Sequence, residues 1–149
     1  MARFPSDDDA RRVVEAIGAA EARSRGEIRV HVEKRCKGDP MARARKVFEQ
    51  LGMTKTELRC GVLVYLATEH RRFAVIGDRG IHDKVGDELW VDVAAGMGRR
   101  FAAGTFADGL VEAIGRIGDA LAAHFPRDAA RRDVDELPNE VSFGDETAK

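Results

Sequence analysis

Apolar residues recur at helical spacing at Ala10, Val13, Val14 and Ile17, and then at every second position at Ile28, Val30 and Val32, so the chain opens as a helix followed by a strand. Ser6-Asp7-Asp8-Asp9 precedes the first pattern. The serine can accept a hydrogen bond from an orphan amide, and the acids suit the positive end of the helix dipole, which predicts a helix running to about Arg23. After Ser24-Arg25-Gly26, the alternation puts Ile28, Val30 and Val32 on one face and Glu27, Arg29, His31 and Glu33 on the other. Gly38-Asp39-Pro40 interrupts the chain. Asp39 can cap and Pro40 can occupy a first helical position, while Ala44, Val47, Phe48 and Leu51 form the buried stripe of a second helix that Gly52 ends.

Thr54-Lys55-Thr56-Glu57 has the spacing of a capping box and predicts one short helical turn. Two almost wholly apolar runs, Gly61 to Ala67 and Phe73 to Gly77, flank the polar stretch Thr68 to Arg72. They read as a hairpin at the centre of a sheet covered on both faces, so helices must lie on both sides. Beyond Gly77-Asp78-Arg79-Gly80, two sets of apolar residues at helical spacing, Leu89 to Phe101 and Phe106 to Phe125, predict two long amphipathic helices. Gly109, Gly115 and Gly118 interrupt the last of these, which points to close packing there. The glycines lie within helical periodicity and match neither GxGxxG nor GxxxxGK[ST], so nucleotide binding through those motifs is not expected.

Composition narrows the class. The 149 residues carry 25 Lys and Arg against 26 Asp and Glu, a formal charge of −1, where an electrostatic nucleic-acid binder is usually strongly basic. Apolar residues make up 44% and charged residues 34%, and no apolar run approaches the length of a membrane span. The acidic N-terminus lacks the basic start and apolar run of a secretory signal, so a cytoplasmic protein is expected. The length suits one domain over residues 1–126, followed by an acidic tail over 127–149, packed on the surface or partly disordered. That tail holds four basic and seven acidic residues. Cys36 and Cys60 stand alone, without CxxC spacing, and read as small buried hydrophobes with no zinc or redox role.

Asp78 is the first candidate for chemistry. It closes a buried strand just before a turn, and the ends of central strands in open α/β sheets commonly bind ligands. A carboxylate there can hold a divalent cation through hard oxygen ligands, with Asp83 and Asp87 shortly after it and Glu27 reaching the same edge. The structural alternative is that Asp78 caps the following turn and pairs with Arg79, while Asp87 and Glu88 favour a helix start. His82 lies in the same segment and can serve as base or ligand. His31, His70 and His124 read as surface or capping residues. Without a G-x-S-x-G elbow, and with Ser6, Ser24 and Ser142 in terminal or loop contexts, no acyl-transfer nucleophile is assembled. Arg71-Arg72 and Arg99-Arg100 read as solvated faces, and Trp90 and Phe101 as core.

In order along the chain, Gly26-Glu27-Ile28-Arg29-Val30, Gly61-Val62-Leu63-Val64-Tyr65-Leu66-Ala67, Arg72 to Ile81 with Val85-Gly86 and Trp90, and Phe106-Ala107-Asp108-Gly109-Leu110 resemble the TPM domain family. Glu136-Leu137-Pro138-Asn139-Glu140 is similar to the ending of short bacterial members, and the likeness runs from Ala10 to Val141. The resemblance implies a three-layer α/β/α sandwich with a small central sheet, in agreement with the pattern above. It also implies a divalent-metal site, calcium in particular, at an acidic cluster that maps onto Asp78 and its neighbours Asp83 and Asp87, with Glu27. Plant thylakoid-lumen relatives are associated with photosystem repair and acid phosphatase activity, and many bacterial relatives are membrane-anchored. Three readings follow: a binding or accessory module whose protein partner lies near a membrane complex, a metal-dependent phosphomonoester hydrolase in which Arg79 or Arg72 clamps the phosphate, and a structural interaction domain whose acidic tail docks on a basic partner.

Overall fold

A computed structural model describes residues 6–127 and 141–143. Helix α1 spans Asp7–Ala22 and begins on a capping box, in which the Ser6 hydroxyl accepts from the Asp9 amide and the Asp9 carboxylate accepts from the Ser6 amide. Strand β1 is Glu27–Glu33 and α2 is Pro40–Gln50, with Asp39 capping and Pro40 at its start. The next turn is a short 3-10 helix over Met53–Lys55. It starts two residues earlier than the Thr54 capping box predicts, because Gly52 turns the chain in the left-handed region at φ 71° and no side chain caps it. The Thr56 hydroxyl is buried there and has no hydrogen-bond partner among the described residues. Strands β2, Gly61–Ala67, and β3, Arg72–Gly77, form the expected hairpin, and α3, Arg79–Ala102, and α4, Phe106–His124, follow.

The strands lie in the order β3-β2-β1-β4, where β4 is Val141–Phe143. β1 runs parallel to β2 and β4, and β2 runs antiparallel to β3. The hairpin is therefore not central: β2 is interior and β3 is the edge, with Arg72 exposed and Phe73 half-buried. Strand order depends on pairings between distant segments, which hydrophobic periodicity does not encode. The reading of the tail falls mostly on residues 128–140 and 144–149, which lie outside those described; of the remainder, Val141–Phe143 joins the sheet.

Alternation along the strands divides the core in two. Ile28, Val30, Val32, Val62, Val64 and Leu66 face α1, α3 and α4, whose Ile17, Met97, Ile114 and Leu121 are fully buried. Leu63, Tyr65 and Ala67 face α2 and meet Ala44, Val47, Phe48 and Met53. This is the α/β/α sandwich. At about 2 kcal/mol for each buried aliphatic or aromatic side chain, these two layers supply the main force that holds the sheet between its helices.

Two of the three glycines in α4 mark close approaches. A Cβ on Gly118 would stand 2.7 Å from the Ala20 Cβ of α1, and one on Gly109 would stand 2.8 Å from the Phe101 ring of α3. Gly115 departs from the packing expectation, since a Cβ there would meet nothing within 4 Å. Replacing Gly115 with alanine removes backbone freedom from the unfolded chain at no steric cost, so urea unfolding should show about 0.5–1 kcal/mol of added stability. A loss of stability would show that the position is packed after all.

Candidate functional site

The edge of the sheet at which β3 ends is also the edge at which β1 and β2 begin. Glu27 pairs with Gly61 across β1 and β2, and the Gly61 carbonyl accepts from the Asp78 amide at 2.8 Å, so both acids flank one residue. Asp78 caps α3: its Oδ1 accepts from the Arg79 amide at 2.8 Å, and its carbonyl accepts from the His82 amide at 2.9 Å. The same carboxylate takes a two-pronged contact from Arg59, with Nε to Oδ2 at 2.6 Å and Nη2 to Oδ1 at 2.9 Å. The Asp78 side chain is only 6% exposed. Its hydrogen bonds to Arg59 hold that guanidinium even more firmly protonated than usual. Arg59 sits in the left-handed region at φ 54°, a strained backbone for a residue with a Cβ.

The capping alternative thus describes Asp78 correctly, while the partner is Arg59 and not Arg79. Small residues on either side make the arrangement possible. A Cβ on Gly80 would lie 2.2 Å from the Leu58 carbonyl oxygen, and one on Gly77 would lie 2.3 Å from the Trp90 ring. Trp90 Nε1 donates to His82 Nδ1 at 2.9 Å, which assigns the proton of a neutral His82 to Nε2, 3.7 Å from Asp87 Oδ1. Trp90 is half-buried and joins the core, and Phe101 is fully part of it.

The four acids singled out in the sequence separate into two pairs. Glu27 and Asp78 are buried at the sheet edge, whereas Asp83 and Asp87 are exposed, the Asp87 side chain at 91%. Asp83 lies in the first stretch of α3, and Asp87 follows Gly86, where a φ of 68° breaks the helix. Among the described residues, no three His, Cys, Asp or Glu side chains converge as a group able to hold a metal ion.

A second polar cluster lies at the opposite edge of the sheet, where β1 and β2 end. Glu33 accepts from Arg43 Nε and Nη2, both at 2.8 Å, from the Tyr65 hydroxyl, and from His31 Nε2 at 3.2 Å. Burial alone would raise the Glu33 carboxyl, yet hydrogen bonds from Arg43, Tyr65 and His31 outweigh it and hold the group at about 2. Burial pushes the Tyr65 hydroxyl up, and its bond to Glu33 adds to this. Burial pushes His31 down against the opposing pull of Glu33, so a neutral imidazole donates the bond. The outward alternation of β1 is covered, with Glu27, Arg29 and His31 each under a tenth exposed and Glu33 partly buried. No sequence motif marks Glu33, Arg43 and Tyr65 as a cluster. The available signal was a phenol within an apolar strand, whose hydroxyl requires a partner.

A helix-covered mixed sheet with a Gly-Asp-Arg-Gly turn leading from its edge strand into a long helix defines a small α/β/α domain. The chain belongs to the TPM domain family, whose sequence profile matches residues 2–120. It is similar to the BA42 protein of the psychrophilic bacterium Bizionia argentinensis, known from an NMR structure, at 41% identity over 97% of this chain and 98% of that one, with a TM-score of 0.87. Two more distant solution structures share the fold. They are the N-terminal domain of the cg2496 protein from Corynebacterium glutamicum, at 16% identity over 79% of this chain and 74% of that one with a TM-score of 0.63, and the N-terminal domain of a P. gingivalis protein, at 21% over 78% and 75% with a TM-score of 0.60. No curated protein sequence matches the chain. Among the described residues, no helix is long and apolar enough to cross a membrane.

Proposed function

We propose that this TPM domain works as a binding or accessory module and not as a phosphomonoester hydrolase. The observation that carries the reading is the engagement of Asp78: both of its oxygens accept hydrogen bonds from Arg59, and one also accepts from the Arg79 amide. Metal-assisted hydrolysis needs carboxylates presented to the cation and a separate cationic clamp on the phosphate. Here the Arg59 guanidinium clamps the carboxylate itself. By donor chemistry, four carboxylates suit a hard cation such as calcium, but their division into a buried and an exposed pair does not make one cage. In this reading a divalent cation meets Asp83 and Asp87 on the solvent side of α3, and Asp78 and Glu27 belong to the frame behind them.

The test is thermal unfolding of chelator-stripped protein titrated with calcium, magnesium, manganese and zinc, alongside turnover of a chromogenic phosphomonoester. A cation at a hundred times its dissociation constant stabilises by about 2.7 kcal/mol, which should raise the midpoint by about 5 to 11 °C. The rise should saturate in the wild type and vanish in Asp83→Asn/Asp87→Asn, with no turnover in either. Cation-dependent turnover that disappears in a folded Asp78→Asn variant would overturn the module reading in favour of the hydrolase. A midpoint unmoved by every cation would remove the cation from it.

A further inference from the structure

The edge of the sheet opposite Asp78 is strongly basic. Residues 33–49 and 68–72 carry eight Lys and Arg against four Asp and Glu, in a chain whose formal charge is −1. Main-chain bonds join the two segments: the Thr68 amide donates to the Glu33 carbonyl at 2.9 Å, and the Glu69 amide donates to the Lys34 carbonyl at 2.8 Å. Side chains add to this, since Arg72 donates to the Gly38 carbonyl and His70 Nδ1 accepts from the Cys36 amide at 3.0 Å. The β1–α2 connection and the β2–β3 turn therefore form one continuous end of the molecule, which the first two turns of α2, through Lys46, extend. The acids on it are already engaged or lie at its margin. Glu33 is buried against Arg43, Glu69 meets Arg35 at 3.4 Å, Asp39 caps α2, and Glu49 lies one turn beyond Lys46. Lys37, Arg45, Lys46 and Arg71 are exposed and have no ion-pair partner among the described residues.

We propose that this end docks electrostatically on an anionic lipid surface. Charge complementarity identifies the occupant, and the side chains that are missing select among anionic partners. Exposed large apolar residues among those described come down to Val91, which is on α3 across the sheet from α2. A protein partner of specific shape is usually gripped by exposed aromatic or aliphatic anchors, and single-stranded nucleic acid by stacking aromatics. This end offers neither. A fluid layer of anionic headgroups rearranges to meet fixed cations and asks for no shape match, and each Lys or Arg near such a surface strengthens binding by about fivefold. The helices on the other side of the sheet, α1, α3 and α4, together carry twelve Asp and Glu against seven Lys and Arg, so the same field that attracts the basic end repels the far layer and orients the domain.

The test is co-sedimentation of the full chain with phosphatidylcholine vesicles, with and without about 30 mol% phosphatidylserine. At low salt the protein should pellet with the anionic vesicles and not with the neutral ones, and about 0.5 M salt should release it, because the Debye length then falls to a few ångströms. Lys37→Gln/Arg45→Gln/Lys46→Gln should weaken binding by about a hundredfold with an unchanged thermal midpoint. The charge-matched variant Lys55→Gln/Lys84→Gln/Arg99→Gln should bind as the wild type does. Equal binding to neutral and anionic vesicles, equal binding by the two triple variants, or retention on a DNA oligonucleotide without retention on anionic vesicles would each overturn the proposal.

Discussion

Glu33→Ala is expected to cost about 3–5 kcal/mol of stability at neutral pH, because it removes one partner of a largely buried ion pair and leaves the Tyr65 hydroxyl with no carboxylate to bond. The pH dependence separates this from ordinary loss of packing. Glu33 titrates at about 2 in the fold against 4.5 in an open chain, so its contribution is complete above the higher value and is lost as the pH falls through the lower one. The difference corresponds to about 3 kcal/mol, of which about 2 should be gone by pH 3. His31 acts in the same direction: burial holds it below its ordinary 6.5, so the unfolded chain takes up that proton first and acid favours unfolding. Urea unfolding of wild type and variant at pH 7 and pH 3 measures the effect. The gap between the two proteins should shrink by about 2 kcal/mol at the lower pH. An unchanged gap, or one below about 1 kcal/mol at pH 7, would show that the cluster does not hold α2 to the sheet.

The local elements were legible because each carries its signal within a few residues. The serine cap of α1, the alternation from Glu27 to Glu33, and the Asp39-Pro40 start of α2 all appear where the pattern places them. The relations between elements were not legible, for a physical reason. Arg59 reaches Asp78 from 19 residues away and from a backbone conformation that nothing in its neighbours announces. Glu33 and Arg43 meet because α2 folds back over the sheet, and the polar face of β1 looks like a solvated face until its burial is seen. The candidate site shows both sides of this. The place of Asp78 at the end of a strand, ahead of a turn, marks it in the sequence both as a candidate ligand and as a cap. Its engagement by Arg59, and the division of the four acids into a buried and an exposed pair, required the tertiary structure.

Gly80→Ala should be the most damaging of the glycine substitutions in the Gly77-Asp78-Arg79-Gly80 turn, because the new methyl meets main chain. Its Cβ would lie 2.2 Å from the Leu58 carbonyl oxygen and 2.5 Å from that of Arg59, and neither can withdraw without moving the segment that carries the Arg59 guanidinium. Overpacking against a fixed neighbour costs up to about 3 kcal/mol, and the displaced backbone also loosens the hold on Asp78 and with it the cap of α3. Gly77→Ala makes an instructive comparison. There the obstacle, at 2.3 Å, is the ring of a half-buried Trp90, a side chain that can turn away at the loss of its bond to His82. Gly80→Ala should therefore lower the urea midpoint more than Gly77→Ala, and should accelerate hydrogen exchange at the His82 amide, which bonds to the Asp78 carbonyl in the first turn of α3. If Gly80→Ala proved the milder change, the Leu58-Arg59 segment would be yielding. The Asp78 carboxylate would then be held less rigidly than its two-pronged contact implies, and the case for a framework carboxylate that is withheld from catalysis would weaken with it.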